Sequence, residues 1–280
     1  MMKGRSIVET SLIFLALQVI LLYPGVRNLI RWENNVLGGS YFTGLLMVAL
    51  SVFVIIIRRY EFRVIGVVSE NWRLSVNHGI RGYLFFLLPQ LSLSFFSGIG
   101  ARYQDYLSTA IILDVMVLTM CYFMFRTRVE LQPATDKMLA FAGLLMLSPL
   151  LVGLFTGELT LLILKEYAWN ILVGGFVEEF FYRGYIQTSV NLEYMKEWKI
   201  GKTSFGPGLL VSALLYGLSR GLRTVRHLSG VYTISWSWTL FAFIVGIFYG
   251  LIREASGNII ASGTANSMID AIGEAMSKVF

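Results

Sequence analysis

Apolar residues recur along this chain in long continuous runs separated by short polar stretches. The runs are Ser11–Tyr23, Tyr41–Ile57, Gly82–Ser97, Leu107–Phe125, Met138–Phe155, Ala168–Val190, Gly208–Leu222, Trp236–Ile252 and Asn258–Ile272. Most approach the ~20 residues that carry a helix across a ~30 Å hydrocarbon core. The first and last are short enough to be tilted, re-entrant or extended by their flanks. Strands are disfavoured, because a membrane barrel needs alternating segments of roughly ten residues and these runs do not alternate. The pattern predicts an all-α fold, a polytopic membrane helix bundle with about eight or nine transmembrane or re-entrant helices.

Composition narrows the class further. Of 280 residues, 56% are apolar and 14% charged, with a mean hydropathy of +0.67. A soluble domain carries about a quarter charged residues, so an ordinary cytosolic globule is excluded, as are disordered and fibrous chains. No repeat, low-complexity tract or linker interrupts the runs, and residues 1–280 read as a single integral membrane domain. The inverted repeats of many transporters are not evident. Lys3 and Arg5 precede the first run as in a signal peptide, but that run ends in Tyr23-Pro24-Gly25 without a small-x-small cleavage site. It is expected to be a retained span.

The net charge of +6 is first a topology signal. With the N-terminus inside, the inside loops hold 14 Lys and Arg against 8 outside. A multi-pass protein with a cytoplasmic N-terminus follows from that bias. Arg58, Arg59, Arg63, Arg73 and Arg81 supply the largest share and are candidates to grip anionic lipid headgroups. The basic residues lie on both sides without aromatic interleaving, so no nucleic-acid partner is expected. The single cysteine, Cys121, excludes an internal disulfide and any C-x-x-C motif, and reads as a buried structural thiol.

Ionisable groups inside apolar runs are costly in lipid and are usually paired or functional. The densest example is Gly174-Gly175-Phe176-Val177-Glu178-Glu179-Phe180-Phe181-Tyr182-Arg183-Gly184. On a helix Glu179 and Arg183 are four apart and share a face, so they can form an ion pair. Glu178 points roughly 100° away and needs another partner or a water. A carboxylate in such a setting is either a general base toward water or part of an ion-pair cluster that pins two helices. Arg220 ends the seventh run, and Asn266 and Asp270 lie four apart in the ninth. Together these residues make three acids and two bases, close to the charge balance a buried polar cluster requires. Asp114 is a lone acid expected to find a hydrogen bond or an Arg partner. Glu9 and Glu274 sit near segment ends and take no role.

Glu178-Glu179-Phe180-Phe181-Tyr182-Arg183 resembles the first motif, Glu-Glu-x-x-x-Arg, of the CAAX-protease and bacteriocin-processing family of glutamate-type intramembrane endopeptidases. Tyr216 to Arg220 is similar to the second motif, an aromatic followed four residues later by His. The stretch Gly246-Ile247-Phe248-Tyr249-Gly250, with Arg253 and Gly257-Asn258, resembles the approach to the third motif. That motif is a His followed four residues later by Asn or Asp, and it falls on Asn266 and Asp270. The resemblance covers residues 168–271, a motif-bearing core preceded in 1–155 by helices without motifs. It implies a membrane-buried cavity that acts on peptides near the membrane, lipidated C-terminal tails among them. By the same resemblance Glu178 is the water-activating base, Glu179 and Arg183 are its supporting pair, and Asp270 fills the Asn/Asp position.

Arg220 and Asn266 stand where the family has its two histidines. The chain's histidines, His78 and His227, fall in loops of this reading. Without histidine or thiolate donors beside the carboxylates no zinc site is expected, and no other cofactor is implied. A metal-free route would use Glu178 as base with Asn266 or Arg220 donating to the oxyanion. The functional reading is a CAAX-protease-like intramembrane endopeptidase family protein acting on or binding membrane-attached peptides, its partners being those peptides and membrane lipids. The alternative is a catalytically inactive pseudoprotease that binds a partner helix or lipidated tail. A lesser one is a small-solute transporter using the buried acids.

Overall fold

The computed structural model describes residues 4–100, 107–126, 131–223 and 234–279. The N-terminal half comprises α1 (Arg5–Leu22), α2 (Pro24–Leu37), α3 (Tyr41–Arg58), the single turn α4 (Phe62–Ile65), α5 (Trp72–Gly98), α6 (Leu107–Arg126) and α7 (Asp136–Thr156). One long helical course follows. It begins as α8 (Leu161–Trp169), widens into the π-helical segments Asn170–Val177 and Phe180–Gln187, and closes as α9 (Thr188–Glu193). Then come α10 (Pro207–Arg223), α11 (Trp236–Ser256) and α12 (Ile259–Val279). The architecture is the all-α membrane bundle that the hydrophobic pattern predicts. α1, α3, α6, α7 and α11 are long and apolar enough to cross a bilayer.

The course through Glu178 and Glu179, with α10 and α12, carries polar and charged residues and sits inside the bundle. α12 packs against α5, the first π-helical segment, α7 and α11, while α10 packs along α11 and the second π-helical segment. Charges in lipid are tolerated only where neighbours cover them, and this arrangement covers them. Outer faces remain apolar, as at Leu15, Phe53, Leu144 and Phe155.

Four features depart from the sequence reading. First, residues 24–37, which lie between the first two apolar runs, form α2, whose Pro24 opens the helix and whose Gly38, at φ 75°, closes it. Its side chains mix apolar and polar too evenly to stand out as a run. Second, α5 begins ten residues before the apolar run, so His78 is a part-buried helical residue rather than a loop residue. Third, an antiparallel hairpin joins α9 to α10, pairing Trp198–Ile200 with Thr203–Phe205 and turning through Gly201 at φ 59°. Fourth, most of the arginines assigned to lipid headgroups are engaged by the protein. Arg58 pairs with Glu9, Arg63 with Glu70 and Arg73 with Asp136, while Arg81 donates to the Met124 carbonyl.

Candidate functional site

The site begins with the local helix geometry. The Gly174-Gly175 pair lies in a π-helical segment, where the backbone N–H of Glu178 reaches back to the Val173 carbonyl. Such wide turns are uncommon and recur at functional sites. The absence of a Cβ at Gly175 also lets α12 come close, since a Cβ there would stand 1.7 Å from Ser267 Oγ. That approach puts Asn266 and Asp270 beside the two glutamates.

Two polar sets result. Arg183 Nη1 lies 2.9 Å from Glu179 Oε1, and both side chains are fully buried. Asn266 Nδ2 donates to Glu179 Oε1 at 3.3 Å and to the Gly174 carbonyl at 2.9 Å. Arg183 Nη2 donates to the Gly246 carbonyl at 3.2 Å, and its guanidinium faces the rings of Tyr216, Tyr249 and Tyr182 at 4.5, 5.3 and 5.8 Å. Aromatic faces attract a cation through their quadrupole and do so more strongly away from water. In the second set Arg220 Nη2 donates to Glu178 Oε2 at 2.8 Å and to Asp270 Oδ2 at 2.9 Å. Glu178 is buried, while the Asp270 side chain is 25% exposed and Arg220 18%. The second set is therefore the one that opens outward.

All six residues singled out from the sequence, Glu178, Glu179, Arg183, Arg220, Asn266 and Asp270, are brought together. The Glu179–Arg183 pair forms at the expected spacing, and the further partner that Glu178 required is Arg220. His227 lies outside the described residues. Asp114 departs from its expected pairing: it is buried in α6, yet no hydrogen bond to either carboxylate oxygen forms within the described residues. Its neighbours on that face are apolar, Ala110, Leu113 and Val117 among them. Among the described residues no group of three or more His, Cys, Asp or Glu is placed to hold a metal ion.

Residues 158–272 match the family model described as Type II CAAX prenyl endopeptidase Rce1-like. This segment is an Rce1-like domain. The Rce1-like domain spans the α8–α9 course, the hairpin, α10, α11 and most of α12, and so contains every residue of the cluster. The family so described is one of CAAX prenyl endopeptidases. No curated protein and no solved structure gives a match to the chain.

Sequence reasoning missed a second polar hub, around Glu254. The fully buried Glu254 carboxylate accepts from Gln187 Nε2 at 2.7 Å, from Asn191 Nδ2 at 2.8 Å and from Lys196. The signal lay in two places: Gln187 and Asn191 share a helix face, and Glu254 sits two residues beyond an apolar run. The tyrosines around Arg183 were also missed as a group, although Tyr216 stands one turn before Arg220 on α10.

Proposed function

We propose that the Rce1-like domain binds a membrane-attached peptide, a lipidated C-terminal tail being the class its kind implies, and that Arg220 withholds Glu178 from hydrolysis. The observation that carries this reading is one guanidinium nitrogen lying 2.8 Å from Glu178 and 2.9 Å from Asp270. Arginine stays charged, and its donors are rigidly directed. A general base must reach a water proton with a free lone pair, and a carboxylate held by a fixed cation is a poor one. A histidine at position 220 could release Glu178 by losing its proton; a guanidinium cannot. The reading uses no cofactor, because the guanidinium stands between the two carboxylates that a cation would need.

The second reading is hydrolysis, favoured by the intact Glu179–Arg183–Asn266 set beside Glu178. There Glu178 would take a proton from water as the water oxygen adds to the peptide carbonyl carbon. Asn266 or Arg220 would donate to the oxyanion, Glu179 and Arg183 would support the base, and the proton would pass to the leaving amine.

The two readings separate in one experiment. The purified chain in lipid nanodiscs is given a farnesylated C-terminal peptide, and the released tripeptide is followed by mass spectrometry. Binding without release is expected. Release that disappears in Glu178→Gln would overturn the non-hydrolytic reading. The double change Arg220→His with Asn266→His is expected to fold and either to stay silent or to gain release.

A further inference from the structure

One helical turn beyond Asp270, at Glu274, α12 borders an open cleft of about 220 Å3. Asn34 and Gly38 of the α2 end form one wall, Glu166, Trp169 and Asn170 of the α8 course a second, and Glu274 of α12 a third. Asn170 is only 6% exposed, and no described residue hydrogen-bonds its side-chain amide. Facing the cleft without a protein partner, that amide has its donors and its acceptor free for a ligand. A Cβ on Gly174 would stand 3.6 Å from both Asn170 Oδ1 and Asp270 Oδ2. Asn170 Oδ1 and the carboxylate that Arg220 grips therefore both border the same bare glycine.

We infer that this cleft holds the backbone of an extended peptide, with the Asn170 amide as its hydrogen-bonding anchor and the Glu166–Glu274 rim favouring a basic side chain. The inference deepens the peptide-binding reading above and rests on it. A side-chain amide offers donors and an acceptor, which the N–H and C=O of one residue in an extended chain satisfy together. The rim already holds an ammonium group: Lys278 lies 3.1 Å from Glu274 and also pairs with Glu166. Lys278 stands in the last turn of α12 and is 34% exposed at its side chain, so a basic side chain arriving on a peptide competes for the same carboxylates. None of these rim residues belongs to the six of the cluster.

The test uses the chain in nanodiscs and a fluorescein-labelled farnesylated peptide with two lysines upstream of its lipidated end, read by anisotropy. Asn170→Leu keeps the volume and removes the hydrogen bonds. Affinity is expected to fall about tenfold, while the thermal midpoint stays level because the amide has no hydrogen bond within the fold to lose. A merely structural asparagine would move the two together. Exchanging the peptide lysines for glutamates is expected to weaken binding, and that preference should vanish in Glu166→Gln/Glu274→Gln. An affinity indifferent to Asn170→Leu overturns the inference. So does a diazirine-bearing peptide, used on the unmodified chain, that crosslinks to α3 or α7 and never to the α2 end or to Glu166–Asn170. Turnover of the peptide would overturn the non-hydrolytic reading alone; affinity independent of Asn170 would overturn the cleft alone.

Discussion

Arg220 decides most of the chemistry of this molecule. It is the shared cation of two carboxylates, and removing one member of a buried ionic set usually costs about 3–5 kcal/mol, because the charges left behind lose both water and partner. Arg220→Gln is therefore expected to lower the unfolding midpoint in detergent. Adding Glu178→Gln and Asp270→Asn to that variant should recover most of the loss, since no uncompensated charge remains. A triple variant as unstable as the single one would mean that Arg220 acts through packing against Tyr216, whose ring lies 5.3 Å from its guanidinium. Part of this was legible beforehand. Glu179 and Arg183 announced their pairing by spacing, because helical periodicity is local. The partnership of Glu178 with Arg220 crosses 42 residues, and no local rule encodes it. Asp114 shows the opposite failure: a charge in an apolar run implies a partner, yet the packing of α6 supplies none within the described residues.

Elements are joined by charges at their ends as much as by apolar faces. Glu193, closing α9, accepts from the first N–H groups of α1: Ser6 at 2.7 Å, Arg5 at 3.2 Å, and Gly4. These groups have no intrahelical partner, and the helix dipole adds to their pull on an anion. Hydrogen bonding from Ser6 first, and then from the N–H groups of Gly4 and Arg5, brings the Glu193 carboxyl down from its ordinary 4.5 to about 2. A carboxyl with a lowered value in the folded state stabilises that state above its unfolded value and ceases to do so as it is protonated. The cap should thus be fully present above about pH 4.5 and fade as the pH falls toward 2. Amide protection at the start of α1, taken relative to the intrinsic exchange rate at each pH, is expected to fall over that window and to be low already at neutral pH in Glu193→Gln. Exchange in Glu193→Gln no faster than in the unmodified chain at neutral pH would show that the cap does not hold α1. The α2 helix teaches a related lesson about legibility. Its Glu33 accepts from the Phe42 N–H at 3.1 Å and so caps α3, but a mixed segment of this length carries no run to reveal it.

At the scale of the whole molecule the site exists because α12 is central. Gly175 lets α12 approach, and a Cβ there would also lie 3.0 Å from the Ser267 backbone. Gly175→Val should displace Ser267 and, with it, Asn266 and Asp270. Overpacking of this kind typically costs about 1–3 kcal/mol, read as a lower midpoint together with weaker binding of the farnesylated peptide. Stability lost with binding intact would mean that α12 yields without moving its polar face. Hydropathy along the chain was enough to establish a helical membrane bundle, the approximate place of its helices and the residue types of the cluster, because burial in lipid imposes long apolar runs and makes each internal charge conspicuous. It could not say that Arg220 bridges Glu178 and Asp270, that Asn170 faces a cleft, or that Glu254 gathers a second hub. Those facts depend on which helix faces meet, and that is settled by contacts between residues far apart in the chain.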